Sequence, residues 1–170
     1  MGVHDHRKSS PENVQCAMIT VSDTRTEETD KSGKLIKDLL EEHQYKWVDY
    51  QILKDDYSSI QDAIRDLAKR EDVHTLLLNG GTGISDRDTT YEAVRDLLEK
   101  EMPGFGELFR MLSYQKDIGS AAILSRAIAG IYQNTAVFSM PGSSGAVKLA
   151  MKELILPELT HVRHEIEKQL

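Results

Sequence analysis

Apolar residues fall along this chain in two alternating rhythms. The run Val14-Gln15-Cys16-Ala17-Met18-Ile19-Thr20-Val21 is short, apolar and β-branched, and Ser22-Asp23-Thr24 stops it. That is the pattern of a strand buried on both faces. From Asp30 to His43 the rhythm changes: Leu35, Ile36, Leu39 and Leu40 stand at helical spacing among charges, behind the polar start Glu27-Glu28-Thr29-Asp30. The alternation then repeats with a strand over Trp47 to Leu53, a helix over Ser58 to Arg70 that turns Ile60, Ala63, Ile64 and Leu67 inward, and a strand over Val73 to Leu78. The order βαβαβ predicts a mainly parallel sheet with right-handed crossovers and helices on both faces. Ligands of such sheets bind beyond the carboxyl ends of the strands.

After Thr90 a helix is expected to run to Lys100. Pro103-Gly104 then interrupts the pattern, and Gly106 to Lys116 resumes it with Leu108, Met111 and Leu112, as a compact helical insert. Two apolar stretches, Ile128 to Gln133 and Thr135 to Ser139, flank Gln133-Asn134 and predict a hairpin. The last helix is expected to begin near Ser143 or Ser144 and run to the end, with Pro157 imposing a kink or a break. Residues 1–12 are polar, contain Ser9-Ser10-Pro11, and read as a loose arm; residues 13–170 read as one domain.

Composition narrows the function classes. With 170 residues, 39% of them hydrophobic, the chain is long enough for one domain with a real core. The single cysteine, Cys16, excludes an internal disulfide and points to a reducing compartment, so the cytoplasm is the expectation. No apolar stretch follows Arg7-Lys8, and no segment approaches the roughly 18 apolar residues of a membrane span, which argues against secretion and insertion. A formal charge of -7 without any Lys/Arg run argues against a nucleic-acid binder. A small anionic ligand would instead need a pocket prepared locally by backbone amides, a few cations or a metal ion.

Three strand-end loops carry the candidate chemistry. The first runs from Asn79 into Gly80-Gly81-Thr82-Gly83, whose missing Cβ atoms let consecutive N–H groups face an anion or a flat ring approach the chain. A tight turn without a ligand fits these four residues equally well. The loop is neither a Walker loop, for which the Gly-Lys-Ser/Thr ending is missing, nor a dinucleotide fingerprint, since Asp86 stands where the third glycine belongs. Downstream, Asp88, Thr89 and Thr90 suit a helix cap, Asp86 reads as surface turn, and Asp88 is the candidate for a metal or phosphate role.

The second loop, Lys54-Asp55-Asp56-Tyr57, sets a carboxylate at another strand end, where it could share a cation with Asp88; composition alone reads the acid pair as the start of the next helix. The third, Ser139-Met140-Pro141-Gly142-Ser143-Ser144-Gly145, puts small residues at a helix start, suited to an anion or to an ordinary capped turn. Ser22-Asp23-Thr24-Arg25 is balanced between pocket lining and turn. Convergence on one sheet edge favours a pocket for a phosphorylated ligand. His161 and His164 lack a third ligand and read as a solvated face, His4 and His6 fall in the arm, and Cys16 and Met18 read as core.

Taken together, Val21-Ser22-Asp23, Leu78 to Gly83 with Arg87-Asp88, Met102 to Glu107, Ala122 to Arg126 and Met140-Pro141-Gly142 resemble the MoaB/MogA family of molybdenum-cofactor biosynthesis proteins, over nearly the whole chain from Ala17 to about Met151. The length and the Asn-Gly-Gly-Thr-Gly loop look more like the MoaB branch. The resemblance implies a three-layer α/β/α molybdopterin-binding fold, with a mainly parallel sheet plus a short hairpin, in a homotrimer or hexamer. It also implies an activity: adenylylation of the terminal phosphate of molybdopterin with magnesium and ATP. Carried over by motif, Asp55 and Asp88 are the catalytic and metal-holding acids, with Lys54 departing from the proline common in relatives. Gly80, Gly81, Thr82 and Gly83 would hold pterin or phosphate, with Ser125, Pro141, Gly142 and Ser143 facing them, and Ser22, Asp23 and Glu107 near the nucleotide. The competing reading is a carrier or scaffold that binds the pterin without catalysing the transfer.

Overall fold

Alternate residues of the first strand point to opposite faces of the sheet, and each face has its own core. In the computed structural model, which describes residues 13–168, Cys16 and Met18 pack with Ile36, Leu39, Leu40, Phe105 and Phe109, whereas Ala17, Ile19 and Val21 pack with Ile60, Ile64, Leu67, Ala93 and Val94. Leu77 joins the first cluster and its neighbours Leu76 and Leu78 the second. This double burial explains why the strand sequences are apolar throughout rather than alternating. The arm expected over residues 1–12, with His4 and His6, lies outside the described residues.

The strands are β1 (Gln15–Val21), β2 (Lys46–Leu53), β3 (Thr75–Asn79), β4 (Lys100–Glu101), β5 (Ile128–Tyr132) and β6 (Thr135–Met140). They form one sheet in the order β2-β1-β3-β6-β5-β4. Strands β1, β2, β3 and β6 are mutually parallel, and β5 runs antiparallel to both β6 and β4. Helices α1 (Lys31–Glu42), α4 (Pro103–Lys116), α5 (Ser144–Ala150) and α6 (Leu156–Glu167) cover one face, and α2 (Tyr57–Ala68) and α3 (Thr90–Arg95) the other. The expected three-layer α/β sandwich, mainly parallel with one hairpin, is therefore present. Gln133 takes a φ of 51° in the turn of that hairpin, where Tyr132 faces Thr135.

Two local expectations need correction, and a third takes a specific form. The helix after Thr90 ends at Arg95 instead of reaching Lys100, because the backbone from Glu99 to Met102 is recruited as an edge strand: Glu99 N–H donates to Ile131 O at 2.8 Å and Met102 N–H to Ala129 O at 2.7 Å. Pairing in the sheet outweighs continuing the helix, which is left only six residues long. Pro103 does not interrupt a helix but opens α4, a first-turn position where its missing N–H costs nothing. The interruption expected at Pro157 is present, as a change of helix type just before it. A π-helical turn over Met151–Ile155 leads into α6, with Leu156 N–H donating to Met151 O, and Pro157 falls in the first turn of that new segment.

Candidate functional site

Because β2, β1, β3 and β6 are parallel, the loops after Leu53, Val21, Asn79 and Met140 leave from one edge of the sheet. The antiparallel β5 starts at that same edge, with Ile128 opposite Ser139, so the segment carrying Ser125 and Arg126 joins them. The three anticipated loops thus converge, joined by the turn after Val21, which the sequence left balanced, and by the segment before β5. The strand order changes direction between β1 and β3, which is where a crevice opens in sheets of this kind.

At that point Gly80 lies against the end of β1. Its φ is 100° and a Cβ would collide with the Val21 carbonyl, so only glycine fits. Gly80 N–H donates to Met140 O at 3.0 Å, and Gly142 packs so closely that a Cβ on it would lie 3.1 Å from Gly80 Cα. The Gly142 carbonyl in turn accepts from Arg25 Nη2 at 3.0 Å and from Ser32 Oγ at 2.6 Å. Arg25 and Asp30 form an ion pair at 3.4 Å, and the Asp30 carboxylate, fully buried, also accepts from Tyr50 Oη at 2.5 Å and Gly33 N–H at 3.0 Å. Burial pushes the Asp30 carboxyl upward, but hydrogen bonds from Thr20, Tyr50 and Gly33 together with the Arg25 charge outweigh it, and the carboxyl is held below its ordinary range. The Tyr50 hydroxyl is pushed up, by burial first and then by Asp30. This network fixes the third loop relative to the first.

The acids form a second group. Asp55 N–H donates to Asp23 Oδ1 at 3.2 Å, while Asp55 Oδ1 accepts from Thr89 N–H at 3.0 Å and Thr89 Oγ1 at 2.7 Å. Asp55 Oδ2 accepts no hydrogen bond and faces Gly81, whose φ is 64° and whose absent Cβ would sit 2.5 Å from that oxygen. Burial raises the pKa of Asp55, with the Asp88 and Asp23 charges adding to it, against the Thr89 bonds that lower it. Asp88 folds back on its own loop, Oδ2 accepting from Ser85 N–H at 3.0 Å and Ser85 Oγ at 2.6 Å. Beside Asp88 an open cleft of about 380 Å³ is lined by Tyr57, Ile84, Ser85, Asp86, Thr89, Glu92 and Arg126.

The bland and functional readings therefore divide by residue. Of the pair Asp55-Asp56, it is Asp56 that caps α2, accepting from Ser59 N–H at 2.8 Å, and Asp55 is left for the site. Thr89 occupies the N-cap of α3, yet its side chain makes no capping bond; it is turned to Asp55. Ser143 does cap α5 through Ala146 N–H at 3.2 Å, and Ser22 closes a turn onto Thr24 and Arg25. Thr82 is buried and Pro141 half-buried within the converging loops. Glu107 stands apart, exposed on α4 and without a hydrogen bond or ion pair. His161 is not on a freely solvated face: it pairs with Glu158 at 3.0 Å and lines a groove with Met102 and Ile131.

Four buried oxygens at this edge, Asn79 Oδ1, Thr90 Oγ1, Ser125 Oγ and Ser139 Oγ, have no hydrogen-bond partner. Buried polar groups are rarely left so, and their concentration near one strand edge marks it as a place for polar ligands. Among the described residues no group of three or more His, Cys, Asp or Glu forms a ready-made metal site. The two acids Asp55 and Asp88 nonetheless match the donor set of magnesium, which takes one or two carboxylates and fills its remaining positions with water and substrate phosphates. Sequence reasoning gave no role in the site to Arg126, Thr89, Asp30 and Tyr50. The side-by-side hydroxyls Thr89-Thr90 were a visible signal, but the long-range partners of the others leave no local trace.

Comparison with known proteins agrees with this fold. The model of a probable molybdopterin binding domain matches residues 17–161. The chain is 62% identical to molybdenum cofactor biosynthesis protein B of Halalkalibacterium halodurans over 168 residues, 99% of each chain. A crystal structure of a molybdenum cofactor biosynthesis protein B superposes with a TM-score of 0.92 at 58% identity, covering 95% of this chain and 100% of that one. The tungsten cofactor synthesizing protein MoaB from Pyrococcus furiosus superposes with a TM-score of 0.82 at 37% identity, covering 92% and 99%.

Proposed function

This chain belongs to the MoaB family of molybdenum cofactor biosynthesis proteins and carries its molybdopterin-binding domain, and from that premise we propose that it transfers the adenylyl group of ATP to the terminal phosphate of molybdopterin. An oxygen of that phosphate forms a bond to the α-phosphorus of ATP, the bond from the α-phosphorus to the bridging oxygen breaks, and pyrophosphate leaves. The observation that carries this reading is the pairing of Asp55 and Asp88 beside Gly81 and Gly83, at the edge where buried polar oxygens lack partners.

Two anions must meet in this reaction, so positioning and charge neutralisation supply most of the catalysis. A magnesium ion held by Asp55 and Asp88 would supply the neutralising charge. Thr89 holds Asp55 so that Oδ2 faces the loop, and Ser85 holds Asp88. The glycines remove side chains from the path of the phosphates, while the Arg25–Gly142 bond keeps the opposite wall in place.

The reading of a homotrimer or hexamer is supported by an apolar surface on α4 and the 3-10 turn Gly119–Leu124. Leu108, Met111, Ile118, Ile123 and Leu124 are all about half exposed or more, Ile123 reaching 82%. Contiguous apolar surface of this kind marks an interface, and a second copy of the chain is the occupant proposed for it.

The competing reading is a carrier that binds the pterin without catalysing the transfer. Incubation with molybdopterin, ATP and magnesium, with Asp88→Asn as control, separates the two. Adenylylated pterin and pyrophosphate that depend on Asp88 support the transferase. Pterin binding without product, under conditions where an active relative works, supports the carrier.

A further inference from the structure

Arg126 reaches across from the segment before β5 and grips both ends of the loop that carries Asp88. Its Nε donates to Gly83 O at 2.9 Å and its Nη2 to the same oxygen at 2.5 Å; Nη2 also donates to Asp88 O at 3.0 Å. The remaining nitrogen, Nη1, pairs with Glu92 in the first turn of α3, and the guanidinium carbon stands 5.0 Å from the centre of the Tyr91 ring. Every nitrogen of the guanidinium is engaged, by two carbonyls and a carboxylate, with an aromatic ring beside the group.

We propose that Arg126 is a positioning residue that sets the conformation of the loop from Gly83 to Asp88, and through it the place of the Asp88 carboxylate. This rests on the reading of Asp88 as a phosphate- or metal-facing acid. Gly83 O and Asp88 O bracket the loop, and because one nitrogen donates to both, the hydrogen-bond lengths limit how far apart they can move. Inside the bracket, Asp88 Oδ2 accepts from Ser85 and crowds Gly83 so closely that a Cβ there would lie 2.6 Å away. Moving either carbonyl therefore moves the carboxylate. A lysine cannot replace the fork, since a compact ammonium does not reproduce the planar, rigid donor array that here spans two carbonyls and Glu92.

The test uses the full-length protein with Arg126→Ala and Arg126→Lys. Two readouts are taken: amide hydrogen exchange of residues 83–89, and kcat and KM in the adenylyl-transfer assay. Exchange over 83–89 should rise by about tenfold or more in both variants while β3 and β6 stay protected. The rate constant kcat should fall by roughly 10- to 100-fold, with KM for the pterin little changed. Added guanidinium ion should restore part of the Arg126→Ala activity and none of the Asp88→Asn activity. If Arg126→Ala exchanges faster everywhere, it has lost its fold and Arg126→Lys is read instead. Unchanged exchange over 83–89 in Arg126→Lys overturns the proposal whether or not the protein is active. Faster exchange with undiminished kcat in an active wild type also overturns it. If the wild type makes no product, the transferase reading fails alone, and the exchange data decide the loop's dependence on Arg126.

Discussion

Thr89 gives both its backbone N–H, at 3.0 Å, and its hydroxyl, at 2.7 Å, to the same oxygen of Asp55, 34 residues earlier in the chain. These bonds stabilise the ionised carboxylate, and they oppose a larger upward push from burial and the smaller pushes from Asp88 and Asp23. Asp55 must be ionised to hold a cation. In Thr89→Val the hydroxyl donor is lost, so the pKa of Asp55 rises further. The acid limb of the pH–kcat profile should then move to higher pH, with the alkaline limb unmoved. An acid limb at the wild-type position would mean that Asp55 does not control the rate.

Raised titration also has a consequence for stability. A carboxyl whose folded-state pKa lies above its unfolded value contributes stability that is fully present below the unfolded pKa and is lost as pH rises through the folded pKa. At neutral pH ionised Asp55 therefore works against folding. Asp55→Asn should abolish adenylyl transfer while leaving the thermal midpoint equal to or above that of the wild type at pH 7, measured by thermal unfolding. A clear fall in the midpoint would instead assign Asp55 a structural role.

Asp30 behaves in the opposite sense. Its carboxyl is held below the ordinary range, so its contribution is present above the unfolded pKa, about 3.9, and is lost as pH falls through the lower folded value. Tyr50→Phe removes a donor from this fully buried carboxylate, and should cost about 1–3 kcal/mol in denaturant unfolding at pH 7. The difference from wild type should shrink as the carboxyl protonates in strong acid. A difference that is constant with pH would point to packing of the ring rather than to the hydrogen bond.

The apolar surface makes a prediction about assembly. Ile123→Glu places a charge at a position that is 82% exposed in the single chain, so folding of the protomer should be unaffected. In an oligomer buried there, the charge would be desolvated without a partner. Sedimentation velocity should show the wild type as a trimer or larger and Ile123→Glu as a monomer. An identical distribution for both proteins would remove this face from the interface.

Much of this protein was decided locally. Each buried strand, from Val14 to Val21 and from Leu76 to Leu78, is apolar because both its faces are covered, and each helix shows one apolar stripe because only one of its faces is. Those rhythms need no partner to be read, and with the βαβ order they imply a parallel sheet and an edge where loops gather. Gly80 was legible for the same reason: a run of glycines signals backbone that no other residue can adopt.

Only the tertiary structure decided which acid does what. Asp55 and Asp56 are adjacent and chemically alike, and what separates them is that Asp56 meets its own helix start while Asp55 meets Thr89 and Gly81. Likewise, Glu99 to Met102 became a strand because β5 offered bonds that a short helix could not match. Arg126 stands 43 residues from Gly83 and is brought to it by the reversal of β5. Long-range hydrogen bonds depend on where the chain returns, and that is set by the packing of the whole sheet rather than by any segment's own preference.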